Sequence, residues 1–227
     1  MQGKIIDALS IDCVIFGFKH SSLYVLLVKH KTGKIKNCWK LPGGWIQYDE
    51  SIHESAKRIL KLQSGVENLY LEQFKTFGKV ERFPNKRVIT IVYYALLDIE
   101  NFTAPSPPED IEVSWVRINE IPEMLYDHNH IFENCLFFLK HKVQHEPIGF
   151  NLLPEKFTLL QLQELYEAIL NQTLDKSNFR KKLLKMSLLV DTNEKQKFVS
   201  HRAARLYSFD KKVYDRLLNQ GFIFELN

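Results

Sequence analysis

Cysteine is scarce in this sequence: Cys13, Cys38 and Cys135 are odd in number and widely scattered. Such spacing supplies neither a disulfide framework nor a zinc site, and the apolar or aromatic neighbours of each suggest buried free thiols in a reducing compartment. Long apolar runs are missing as well. The stretch around Ile89 to Leu97 is broken well short of the ~20 residues that a bilayer crossing needs. Met1 to Ser10 lacks the basic-then-apolar pattern of a secretory leader. A soluble protein that stays in the cytoplasm, away from membranes, is expected. No internal repeat and no low-complexity tract interrupts the chain.

What is present is enough to build a core. Apolar residues make up 45% and aromatics 12% of the 227 residues, which suits folded domains rather than a disordered polymer. The net charge of +4 is unevenly placed. Residues 1–150 balance 18 Lys+Arg against 18 Asp+Glu, whereas residues 151–227 carry 13 against 9. A polyanionic partner would therefore meet the last third of the chain.

Periodicity divides the chain at the same place. Ala8 to Phe18 and Leu23 to Lys29 are β-rich runs joined by Lys19-His20-Ser21-Ser22, the form of a hairpin. Arg87 to Asp98 is a long β-branched and aromatic run that predicts a central strand. The prolines of Ala104 to Asp110 predict a loop, Ile111 to Val116 a short strand, and His130 to His141 a helix with Ile131, Cys135 and Phe138 along one face. Regular period is lost between His145 and Phe157, so the expected domains are residues 1–148 and 149–227. In the second, Thr158-Leu159-Leu160-Gln161 has the form of a capping box opening a helix with Leu159, Leu162, Leu165, Tyr166 and Ile169 inward. Asp175 suits the N-cap of a second helix to about Met186, burying Phe179, Leu183 and Leu184. Strands at Leu188 to Asp191 and Phe198 to Phe209, joined by the polar Thr192 to Gln196, precede a last helix from Asp210 to Asn219. Helix, short turn, basic helix and β-ribbon is the order of a winged helix-turn-helix.

One stretch of the first domain, GGWIQYDESIHESAKRILKLQSGV from Gly43 to Val66, resembles the Nudix box. Gly44, Glu50, Arg58, Leu60, Gly65 and Val66 stand at its fixed positions, and Trp39-Lys40-Leu41-Pro42-Gly43 matches the usual approach to it. The resemblance implies an α/β fold, a mixed sheet sandwiched by helices. The box exists to place carboxylates on one helix face, where they hold magnesium against a pyrophosphate. Here three of those positions are Ile59, Leu62 and Gln63. Loss of hydrolysis is the expected consequence, with no catalytic residue, metal or cofactor, and with Glu50 and Arg58 left as a structural pair. A binding cavity can outlive the chemistry. Its candidate wall residues are Lys40, Gly43, Gly44, Glu50, Arg58, Arg82 and Tyr93.

In the second domain nine Lys+Arg face two acidic residues between Lys176 and Arg205. Lys176, Lys181 and Lys185 suit phosphate neutralisation, while Ser177, Asn178 and Arg180 are of the type that reads base edges. His201, Arg202 and Arg205 suit a wing lying along the backbone or in a minor groove. A solvated helix face is the plainer reading of any charge run, but here the turn, the apolar anchors and the ribbon accompany it.

Together the halves resemble the Nudix-related transcriptional regulators of bacteria, a degenerate Nudix domain followed by a winged helix. Trp39 to Gly44, Arg87 to Leu96, Pro154 to Leu162, Asn178 to Lys182 and Arg202 to Tyr207 carry the likeness. It implies a homodimer, a repressor more readily than an activator, on palindromic double-stranded operator DNA and released by a small effector. That effector is ADP-ribose in regulators of NAD metabolism and a pentose in regulators of sugar utilisation. The segment Glu81 to Arg87 departs at Phe83 and Asn85 from the pattern of ADP-ribose-responsive members, and loss of the three glutamates at positions 59, 62 and 63 removes the metal bridge to a diphosphate. Both features favour an arabinose-like pentose. The alternatives are a Nudix pyrophosphohydrolase with displaced metal ligands and a C-terminal interaction domain, or a protein-interaction adaptor with neither activity. His128-Asn129-His130 lacks a third metal ligand and is expected as surface loop, and no nucleophile sits in a turn suited to acyl transfer.

Overall fold

A computed structural model describes residues 8–33, 35–100, 108–197, 202–220 and 224. They form two compact units, one built mainly from residues up to Leu136 and one mainly from Phe137 onward.

The first unit is organised by a mixed sheet. Strands β1 (Leu9–Lys19) and β2 (Ser22–His30) are joined at His20 and Ser21, both at positive φ, the twist that a two-residue hairpin loop requires. β3 (Trp39–Lys40) and β4 (Gly43–Trp45) are short; helix α1 (Ile52–Ser64), β5 (Glu72–Phe77), β6 (Ile89–Asp98), β7 (Ile111–Arg117) and helix α2 (His128–His145) follow. The strand order is β3-β2-β1-β6-β5, with β4 on β1 and β7 on β2. β1 and β6 run parallel from Leu9 opposite Ile89 to Phe18 opposite Asp98. Among the described residues no helix is long and apolar enough to cross a membrane.

Strand alternation decides which residues meet. Ile11, Cys13 and Ile15 of β1 share a face with Tyr93, Ala95 and Leu97 of β6, and they pack on Ala56, Ile59 and Leu60 of α1. Each Ile or Leu side chain in this set contributes about 1.5–3 kcal/mol by leaving water. The opposite face carries Ser10, Asp12 and Thr90, and further along β1 Phe16 meets Phe132 of α2 with ring centroids 6.2 Å apart. Tyr93 therefore belongs to the α1 core, only 3% exposed.

Helix α1 starts at a capping box, the Ser51 hydroxyl accepting from the Glu54 amide at 3.2 Å and the Glu54 carboxylate from the Ser51 amide at 2.8 Å. It stops at Gly65, whose φ of 73° a side chain would oppose. Helix α2 begins at His128, two residues ahead of its expected start, so the segment anticipated as surface loop is helical. Cys13 and Cys135 are buried as anticipated, but Cys38 is exposed.

The second unit contains α3 (Leu159–Leu170), α4 (Lys176–Lys185), β8 (Leu189–Lys195), β9 (Arg205–Phe209) and α5 (Lys211–Asn219). The Thr158–Gln161 capping box forms as the sequence predicts, with amide-to-side-chain distances of 3.1 and 2.8 Å. Leu162, Leu165, Tyr166 and Ile169 are fully buried, and Tyr166 packs on Phe179 of α4 at 5.6 Å. Leu183 is buried too, whereas Leu184 is 48% exposed because it lies one residue further round the helix. The turn between α3 and α4 is held by Glu167, which accepts from the Leu174 amide, and by Gln163, which donates to the Leu174 carbonyl. β8 extends through Thr192 to Lys195, the segment expected as a connection. Phe157 exchanges two backbone hydrogen bonds with Tyr207 of β9, adding a third line of pairing to the ribbon. Phe198 to His201 lie outside the described residues.

Candidate functional site

The first unit has a cavity of about 180 Å³ where β1, β4 and β6 meet the start of α2. Its polar floor is built from strand positions of one parity, Ser10, Asp12 and Thr90, joined by Lys40, Arg82 and His128. Asp12 is an isolated carboxylate in an otherwise apolar strand and is only 5% exposed. A burial that deep demands compensating charge. The charge comes from Arg82 at 3.7 Å, and the His128 ring lies 3.8 Å away on the other carboxylate oxygen.

Arg82 is committed in several directions. Its guanidinium forms a bidentate pair with Asp127 at 2.7 and 2.9 Å and donates to the Thr90 hydroxyl, which is itself bonded to Ser10. The short 3-10 turn Val80–Arg82 delivers this side chain from the segment before β6. His128 accepts the Leu41 amide proton on Nδ1 at 2.9 Å. Burial, with Lys40 and Arg82 nearby, holds its pKa below the ordinary histidine value despite Asp12 and Asp127. The imidazole is therefore neutral near pH 7, with its proton on Nε2 toward Asp12.

Aromatic groups make the rest of the wall. Phe83 lies between Trp45, at 5.9 Å, and Tyr126, at 4.5 Å between centroids. Trp45 and Tyr126 remain 47% and 40% exposed, so the rings present open faces. Flat apolar walls over a charged floor suit a ligand that combines a planar group with an anionic one.

Lys40, Gly43, Gly44 and Arg82 line this cavity, whereas Glu50, Arg58 and Tyr93 do not. Glu50 and Arg58 pair through two hydrogen bonds of 2.6 and 2.7 Å. Arg58 also donates to the Trp45 carbonyl and Glu50 accepts from the Gln47 amide, so the pair pins the loop before α1. Arg58 holds the Glu50 carboxyl down to about 2. Asp12, Trp45, Phe83, Thr90, Tyr126 and His128 were not among the expected wall residues. A lone Asp in an apolar strand was the available signal for Asp12; the aromatic wall comes from three distant segments and left none.

The positions where the box would carry glutamate diverge in space. Ile59 is buried against Gly44, and Leu62 is 56% exposed. Gln63 alone reaches the loop: it donates to the Gly43 carbonyl at 2.7 Å and accepts from the Gly43 amide at 3.1 Å. Gly43 is itself pressed onto β1, where a Cβ would lie 2.0 Å from the Asp12 carboxylate, so only glycine fits. The Lys40 ammonium bonds to Gln63 Oε1 at 3.0 Å and to the Gly43 carbonyl at 3.3 Å. Burial lowers its pKa to about 8, with Asp12 opposing the shift. Among the described residues no group of three His, Cys, Asp or Glu could hold a metal ion.

In the second unit, Asp175 caps α4 by accepting from the Asn178 amide at 2.7 Å. Lys176, Ser177, Asn178, Lys181 and Lys185 are exposed, Arg180 is half-buried, and Phe179 and Leu183 anchor the other face. Arg202 is exposed; Arg205 is exposed but pairs with Asp191 across the ribbon at 2.8 Å. His201 lies outside the described residues.

A mixed sheet with a glycine loop leading into a capped helix, and a separate helix-turn-helix with a ribbon, define a Nudix fold joined to a winged helix. Residues 7–135 match the NUDIX domain family, and residues 149–209 match the NrtR DNA-binding winged helix domain. The ADPR responsive transcriptional repressor NtrR of Acinetobacter baylyi is 28% identical over 211 residues, covering 91% of this chain and 84% of that protein. Shewanella oneidensis NrtR complexed with a 27mer DNA superposes with a TM-score of 0.70 at 27% identity, covering 91% of this chain and 95% of that one. The NUDIX domain of the same Shewanella protein complexed with ADP ribose gives a TM-score of 0.52 at 27% identity, over 60% of this chain and 90% of that one. This chain belongs to the Nudix-related transcriptional regulators.

Proposed function

We propose that this protein is a transcriptional repressor whose Nudix unit binds ADP-ribose without hydrolysing it and whose winged helix binds operator DNA. Residues 1–148 would form the effector-binding part and residues 149–227 the DNA-binding part. The observation that carries the effector reading is the cavity itself: aromatic faces of Trp45, Phe83 and Tyr126 above a floor holding Lys40 and Arg82. Rings of this kind stack on a nucleobase, and the cations face phosphate oxygens. A pentose has neither a flat aromatic face nor a charge to use them.

This reading replaces the arabinose-like pentose favoured by the sequence. Phe83, read there as a departure from the ADP-ribose-responsive pattern, contributes its ring to the cavity wall. The relatives also support ADP-ribose, since one is named as ADPR responsive and another was solved with ADP ribose. The absence of hydrolysis follows from Ile59, Leu62 and Gln63, which supply no carboxylate beside Gly43.

For DNA, Ser177, Asn178 and Arg180 at the start of α4 would meet base edges, while Lys176, Lys181, Lys185, His201, Arg202 and Arg205 would meet phosphates. One winged helix reads few base pairs, so a homodimer on a two-fold operator is the form that gives specificity. The test of the effector half is a titration of the full chain with ADP-ribose, arabinose and xylose, followed by tryptophan fluorescence and calorimetry. Saturable binding of ADP-ribose alone is expected; binding of a pentose instead would overturn the assignment.

A further inference from the structure

The Nudix box implies a divalent cation beside the glycine loop, and the residues of this chain do not fit one. A hard cation there needs carboxylate oxygens. Ile59 and Leu62 offer none, and the side chain that does reach Gly43 is an amide whose donor and acceptor are both engaged. Gln63 Oε1 accepts from the Gly43 amide and from the Lys40 ammonium, and Nε2 donates to the Gly43 carbonyl. This orientation is fixed, because a flipped amide would set its NH₂ against two donors. A glutamate at 63 could not close the same ring: its oxygen would face the Gly43 carbonyl oxygen with no proton between them.

Lys40 completes the arrangement. It is 7% exposed and lines the cavity, so its ammonium lies between the glycine loop and the cavity. Of its three N–H donors, two are directed to Gly43 and Gln63, leaving one for a ligand. Arg82 is held by Asp127 and Thr90, which makes Lys40 the less committed cation of the floor.

We propose that Lys40 and Gln63 take the place of the divalent cation. Gln63 holds the Gly43 peptide in position, and Lys40 offers its remaining N–H to the ligand's diphosphate, so that effector binding needs no metal. This rests on the ADP-ribose reading, and the experiment separates the two.

ADP-ribose is titrated calorimetrically into the full chain in EDTA and again in magnesium. Equal affinities are expected, with Lys40→Gln weakening binding by about tenfold, the scale of one hydrogen bond to a charged group. Lys40→Arg should recover part of that loss, and the thermal midpoint of Lys40→Gln should not fall. Binding that appears only with magnesium would overturn the inference while leaving ADP-ribose as effector. If ADP-ribose binds in neither buffer, the effector reading has failed, and manganese decides the rest. In a titration of the ligand-free chain followed by electron paramagnetic resonance, the unmodified protein should bind no manganese. Manganese binding by the unmodified chain that Gln63→Ala abolishes would overturn the inference.

Discussion

Arg82 and Asp127 form a bidentate pair across 45 residues of sequence, with contacts of 2.7 and 2.9 Å and the Arg82 side chain only 4% exposed. The pair ties the segment before β6 to the start of α2 and fixes one wall of the cavity. Arg82→Ala leaves Asp127 and Asp12 without their common partner, a loss of about 3–5 kcal/mol for a buried pair broken on one side. Chemical denaturation should show this as a lower midpoint. Arg82→Lys should recover little, because one ammonium cannot make both bonds to Asp127 while also reaching Thr90.

Glu50 gives a pH signature. Its bonds to Arg58 hold the carboxyl down to about 2, below the ordinary 4.5. A depressed carboxylate pKa contributes stability that is fully present above the unfolded value and disappears as pH falls from about 4.5 toward 2. Glu50→Gln should therefore flatten the pH dependence of stability across that window, lowering stability at neutral pH and converging with the unmodified protein as pH approaches 2. A pH series of urea melts on both proteins measures the difference.

Lys40 sets an upper limit in pH for binding an anion. Burial lowers its pKa to about 8, and the groups facing it are Asp12, Gln63, Arg82 and neutral His128. As pH rises through 8 the ammonium loses its charge, and ADP-ribose affinity should fall. In Lys40→Gln the affinity should already be low and the fall in this range absent.

The basic helix separates two kinds of contact. Lys181→Ala should weaken binding to every DNA sequence and reduce the slope of log K against log salt by about 0.9, one phosphate contact. Asn178→Ala should instead cost about 1–3 kcal/mol on the operator and little on unrelated DNA, relaxing sequence preference. Competition binding at several salt concentrations distinguishes the two outcomes.

Much of this architecture is legible in the chain because the signals are local. The period of β6, the capping box at Thr158 and the anchors of α3 need only neighbours within a few residues. The cavity is different. Alternation along β6 says that Thr90 and Tyr93 face opposite ways, but which face meets the ligand depends on where α1 packs. His128 reads as a surface residue until the Leu41 amide is found 2.9 Å from its ring. The polar end of β8, Thr192 to Lys195, escapes because a two-stranded ribbon open to water imposes no apolar alternation.

The most direct test of the account is binding of the full chain to DNA from upstream of its own and neighbouring genes, in an electrophoretic mobility shift with increasing ADP-ribose or arabinose. The account predicts a specific complex that ADP-ribose dissolves and arabinose leaves intact. A complex insensitive to ADP-ribose but released by arabinose, or no specific complex at low salt, would contradict it.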